Sequence, residues 1–182
     1  MIAYKGFEKN LSCRGYQFKR YGINETTEAN CRQNGFHCAE DPLDCLSYYG
    51  DVDHSEYYIV NAGGDIDEDE VDSKISCTEL TVLKRLTKEE LFLHGLAFMA
   101  DHPKRKWNKH IRKDRAEAWG GYAVVRGADP IAKGCRKGDV LAFAKEDPAT
   151  GSIQQIVVAT IDGKTLLPNV WYGVDLEKRM VS

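Results

Sequence analysis

A chain of 182 residues, 42% hydrophobic and 29% charged, suits one medium domain, or one domain with a small appendage, and can bury a real core. No apolar run is long enough to span a bilayer, and MIAYKGFEKN lacks the charged and apolar regions of a signal peptide, so a cytoplasmic protein without membrane contact is expected. The net charge of -3 hides a polarity: residues 1–100 hold 10 Lys and Arg against 18 Asp and Glu, whereas residues 101–182 hold 15 against 10, so one part can meet a basic surface and another phosphate.

The opening IAYKGF reads as a strand and CRGYQFK as a second. Asn24 is placed to cap a short helix through ETTEANCRQ, ended by Asn34-Gly35. Asp41-Pro42 starts another, on which Leu43, Leu46 and Tyr49 form a narrow apolar stripe. SEYYIVNAG is a strand by its aromatic and β-branched content, stopped by Gly63-Gly64. DIDEDEVD carries six acids in eight residues and reads as a solvated loop, followed by a strand at KISCTELTVL. Thr87 and Glu90 make a capping box for KEELFLHGLAFMA, with Leu91, Phe92, Ala97 and Phe98 facing the core and Gly95 weakening the helix.

The character changes at HPKRKWNKHIRKDR, where seven of fourteen residues are Lys or Arg and Pro103 breaks the preceding helix. From GGYAVVRGADPIAKG onward the pattern is β, through DVLAFAKE, IQQIVVATI and VWYGVDL, with DPATGS and DGK as turns. The expected fold class is α+β: a mixed α/β head with antiparallel strands over 1–101, a basic connecting segment over 102–119, and a small antiparallel β C-terminal segment over 120–182.

Three cysteines and a histidine crowd CRQNGFHCAEDPLDCLSYY. Zinc prefers close pairs of thiolates or imidazoles, but the spacing Cys31-x5-His37-Cys38-x6-Cys45 contains no CxxC knuckle, and Cys13 and His54 lie further off. Reduced thiols are expected at all six cysteines (Cys13, Cys31, Cys38, Cys45, Cys77, Cys135), mostly as small core hydrophobes. A nucleophilic pair would set His37 against Cys13, Cys31 or Cys45, and sequence does not choose among them. No metal and no cofactor are expected. The acidic run lacks the layout of an EF-hand loop; beyond a solvated loop, its carboxylates at Asp65, Asp67, Glu68, Asp69, Glu70 and Asp72 can dock on a basic protein groove. Lys104, Arg105, Lys106, Lys109, Arg112, Lys113 and Arg115 can neutralise phosphates, with Trp107 to stack on a base or pack on the body, giving sequence-independent DNA or RNA contact. Phosphate-loop, dinucleotide, zinc-protease, hydrolase and kinase motifs are missing, which lowers the odds of the common enzyme classes.

YKGF, LSCRGYQF, GFHCAEDPLDCLSYY and a strand ending in GGDID, with GDVLAFAKED and VVATIDGKTLLPNVWYGV toward the end, resemble a family of bacteriophage and prophage proteins over residues 1–82 and 120–180. That resemblance carries no catalytic motif. Many members of the family place short glycine- and alanine-rich repeats, a β-solenoid, between head and tail; here GGYAVVRGADPIAKG looks like a single residual repeat. In a phage setting, a chain of this size and charge also resembles anti-CRISPR proteins. The implied role is counter-defence in the bacterial host cytoplasm, with an RNA-guided type II CRISPR effector nuclease as partner. Two rivals stand beside it. One is an ADP-ribosyltransferase-like enzyme using NAD, with Tyr4, His37 and Glu56 lining a nicotinamide pocket; the other is a structural or assembly accessory of a phage particle.

Overall fold

The computed structural model describes residues 1–31, 33–68 and 73–181, and it corrects the expected fold class. The chain is mostly β: among the described residues there are three sheets and one α-helix, so an α+β class with a helical head does not hold. Two compact units divide between Thr87 and Lys88, where the sequence reading drew its first boundary after residue 101. No described helix is long and apolar enough to cross a membrane.

The first unit begins with β1 (Ile2–Phe7). CRGYQFK is not one strand but a tight hairpin of β2 (Ser12–Cys13) and β3 (Tyr16–Gln17). Arg14 and Gly15 both have positive φ (49° and 81°), as a two-residue turn matching strand twist requires. β4 (Ile23–Glu25) replaces the start of the expected helix at 25–33. Asn24 caps nothing there. It is fully buried, and its carboxamide takes up backbone groups of Lys19 and Leu80. β5 (Phe36–Ala39) leads to a 3₁₀ helix at Pro42–Ser47, whose first turn Asp41 caps by accepting from the Leu43 amide at 2.9 Å. Leu43 and Leu46 are buried at a spacing of three, which is the 3₁₀ period rather than an α stripe, and Tyr49 lies beyond the helix.

β6 (Glu56–Glu68) and β7 (Lys74–Leu86) form a long hairpin. Gly63-Gly64 does not stop β6. Register shifts between Gly63 and Ile66, Gly64 takes φ +67°, and the Asp65 amide bonds the Thr78 hydroxyl, so the glycines make a bulge and the strand runs on through Asp65–Glu68. The pairings β1–β6, β6–β7, β7–β5 and β5–β1 are all antiparallel and close a four-stranded ring. Its core holds Phe7, Phe18, Phe36, Tyr58, Ile75, Cys77 and Leu80. Phe7 meets Phe18 and Tyr58 edge-on at 5.1 and 5.5 Å, an arrangement worth about 0.5–1.5 kcal/mol per pair beyond area burial.

The second unit opens with α1 (Lys88–Asp101), the helix expected there. Its buried side is Leu91, Phe92, Gly95, Leu96 and Met99; Ala97 is exposed and Phe98 half-buried, which corrects the expected core face. Then follow β8 (Ile111–Glu117), β9 (Tyr122–Lys133), β10 (Val140–Glu146), β11 (Ile153–Thr160), β12 (Trp171–Gly173) and β13 (Lys178–Arg179). The segment is not simply antiparallel. β8 runs parallel to β9 and β9 parallel to β10, stacking Ile111 on Val124 and Val124 on Ala142. GGYAVVRGADPIAKG spans β9, the middle strand of these three. β11 then closes antiparallel on β10, and β12 on β9. Alanines at 116, 123 and 132 are buried in one core with Phe143 and Tyr172, and those at 142 and 144 are buried on the other face of β10.

Candidate functional site

The head carries a groove of about 480 Å³ where β1, the β2–β3 hairpin, β5 and the chain after the 3₁₀ helix converge. Tyr4 and Lys5 come from β1, Cys13 and Arg14 from the hairpin, His37 and Cys38 from β5, and Cys45, Tyr48 and Tyr49 from the segment that Asp41-Pro42 initiates. Lys74 of β7, Glu8 and Asp44 complete its charged lining. Tyr49 fits here because residue 6 is glycine: a Cβ there would stand 2.4 Å from the Tyr49 ring. The Tyr57 hydroxyl donates to the Tyr49 carbonyl and fixes the backbone. Tyr49 in turn donates its hydroxyl to Cys13 Sγ at 2.9 Å. Burial and that bond push the phenol's ionisation up.

Lys5 is 4% exposed, with its ammonium 2.7 Å from the His37 carbonyl oxygen, 3.7 Å from Cys13 Sγ and over the rings of Phe7 and Phe18. His37 is held neutral. Burial first, then the positive charges of Lys74, Lys5 and Arg14, lower its pKa from 6.5 to about 4. The unfolded chain therefore binds this proton before the folded chain does. Stability should fall as pH drops from 6.5 toward about 4 and gain nothing from this group above 6.5. His37→Gln is expected to flatten that part of the profile, read as the difference between the urea midpoints of the two proteins at pH 7, 5.5 and 4.

All six cysteines are free thiols, and Cys38, Cys45 and Cys77 are buried. Burial raises Cys45 to about 12. Among the described residues no three or more His, Cys, Asp and Glu side chains gather as metal ligands would. Of the residues expected to form a nicotinamide pocket, Tyr4 and His37 share the groove; Glu56 does not line it and pairs with Arg85 at 3.0 Å.

The expected phosphate contacts lie in the second unit. Lys104, Arg105, Lys106 and Lys109 are exposed on the chain entering β8, and Arg112, Lys113 and Arg115 are exposed on β8 itself. Seven of the eighteen residues 102–119 are thus strand, not linker. Trp107 is half-buried, and the Arg126 guanidinium covers its ring at 4.7 Å, so it packs on the body. Arg115 lies over Trp171 at 4.2 Å. The exposed aromatic ring nearby is one the sequence reading passed over: Trp119 is 88% exposed at the Gly120-Gly121 turn after β8. The double glycine after it was the available signal, because such a turn lifts its flanking side chain off the sheet.

The described part of the acidic run is strand rather than loop. Asp65, Asp67 and Glu68 are exposed on the last residues of β6, and the Asp67 carboxylate accepts from the Cys31 amide at 2.6 Å. Asp69, Glu70 and Asp72 lie outside the described residues. Residues 1–94 match the model of a family described as a domain of unknown function (DUF7666). No curated protein and no solved structure matches the chain.

Proposed function

We propose, from the premise that this chain belongs to the DUF7666 family, that it acts by binding: a phage counter-defence protein that inhibits an RNA-guided type II nuclease through nucleic-acid and basic-surface contacts. One observation carries this reading. All seven basic side chains between 104 and 115 are exposed, on the approach to β8 and along it. Among the described residues β8 has a strand neighbour on one side only, β9. A row of cations on an edge strand also blocks strand addition, and its exposed charges can follow a phosphate backbone. Trp119 at the end of the row offers a ring for an unpaired base. The exposed carboxylates of Asp65, Asp67 and Glu68 suit the positively charged channels in which such nucleases hold nucleic acid.

The test is cleavage of a plasmid by a guide-loaded type II nuclease, with this protein in excess and an unrelated restriction enzyme as control. Selective loss of guided cutting is expected. Equal loss with both enzymes would reduce the role to DNA coating, and full cutting by both would end the inhibitor reading. Replacing Arg112 and Lys113 with glutamine should weaken DNA binding without sequence preference. It should also lower the slope of log affinity against log salt by about one per residue. An unchanged slope would remove β8 from the interface.

A further inference from the structure

The head groove holds a feature that nucleic-acid binding does not use. Two donors, one of them cationic, aim at one sulfur: Lys5 Nζ at 3.7 Å and the Tyr49 hydroxyl at 2.9 Å from Cys13 Sγ. A neutral thiol is a weak acceptor and gives neither donor much; a thiolate satisfies both. The surroundings of Lys5 point the same way. Its ammonium is almost fully buried, and its contacts are a carbonyl oxygen, two ring faces and this sulfur, with no carboxylate partner among the described residues. A buried cation without a carboxylate partner is costly, and Cys13 Sγ is the sulfur in contact with it.

We propose that Cys13 is a nucleophilic, covalently modifiable cysteine flanked by the Lys5 ammonium and the Tyr49 hydroxyl, and that its substrate class is a low-molecular-weight disulfide bearing carboxylates. The groove volume of about 480 Å³ suits a small molecule. Arg14 is exposed at its edge, and the Lys74 ammonium stands over the Tyr48 ring at 4.9 Å, so with Lys5 three cations line the groove against the two carboxylates of Glu8 and Asp44. In the step itself the Cys13 thiolate attacks one sulfur of the disulfide, the S–S bond breaks, and the other half leaves as its thiolate. The product is a mixed disulfide on Cys13, reversed by excess thiol. Cys45 shares the groove but stays protonated and does not compete.

The experiment incubates the folded protein with oxidised glutathione at pH 7 and maps the modified cysteines by mass spectrometry over time, with cystamine as a cationic counterpart. Cys13 should be modified roughly 10-fold faster than half-exposed Cys31 and exposed Cys135, and faster by oxidised glutathione than by cystamine. Lys5→Met, which keeps the shape and removes the charge, should bring Cys13 down to the rate of Cys31. Tyr49→Phe, checked with it by circular dichroism for an intact fold, should slow Cys13 less. Modification of Cys135 or Cys31 ahead of Cys13 overturns the proposal. So does an unchanged Cys13 rate in Lys5→Met, or in Tyr49→Phe where Lys5→Met does not fold. A preference for cystamine overturns the assigned substrate class.

Discussion

Replacing Arg126 with methionine is expected to destabilise the second unit by about 3–5 kcal/mol, among the largest effects any single substitution in this chain should have. Arg126 sits on β9 with only 3% of its surface exposed. Its Nε donates to the Glu146 carboxylate at 2.6 Å, and its Nη2 donates to the carbonyls of Pro103 and Gly151 at 3.1 and 2.9 Å. The guanidinium plane also covers Trp107. Losing it leaves the Glu146 carboxylate, 16% exposed, without its charge partner and strands two carbonyls. Urea unfolding should show the loss. The double variant Arg126→Met with Glu146→Met should recover most of it, because removing both members of a buried pair costs far less than removing one. A single variant as stable as the double would show that the ion pair contributes nothing. Because Arg126 also holds Pro103 and Trp107, trypsin should cut the single variant faster at Lys104, Arg105 and Lys106.

The same residue shows where reading a sequence reaches its limit. Arg126 sits in a β pattern and looks like any solvent-facing position; only the parallel stacking of β8, β9 and β10 encloses it. Local chemistry was legible where partners are neighbours. Asp41 capping the Leu43 amide, α1 starting after Thr87, and Asp162 receiving the amides of Lys164, Thr165 and Leu166 all follow from residues a few positions apart. Strand partners are not encoded so locally. Alternating residues reveal a strand without revealing its neighbour or its direction, which is why residues 120–182 read as an antiparallel segment from sequence. The groove is a product of closure as well: Lys5, Cys13, His37 and Tyr49 come together only when β1, β5, β6 and β7 complete their ring. The three-residue spacing of Leu43 and Leu46 marks a short helix, and three is the 3₁₀ period.

Asn24 offers the sharpest contrast between a local reading and the folded one, and its substitution separates them. As a helix cap, Asn24 would tolerate aspartate without loss, since the two rank together at that position. In the structure both ends of its carboxamide are engaged. Oδ1 accepts from the Lys19 amide at 2.8 Å, while Nδ2 donates to the Leu80 carbonyl at 3.0 Å and to the Lys19 carbonyl at 3.3 Å. That clamp ties the approach to β4 onto β7 with a side chain showing no exposed surface. Asn24→Ala should cost about 2–4 kcal/mol, by leaving a buried amide and carbonyl unpaired. Asn24→Asp should cost more than Asn24→Ala. It keeps the acceptor for Lys19, but it turns a second carboxylate oxygen toward the Leu80 carbonyl and buries a charge. Unfolding midpoints of the three proteins at neutral pH give the order. Wild type above alanine above aspartate identifies the clamp, and because protonating the aspartate restores a donor, acidification should narrow the gap between the last two. Equal midpoints for asparagine and aspartate would return the residue to its role as a cap.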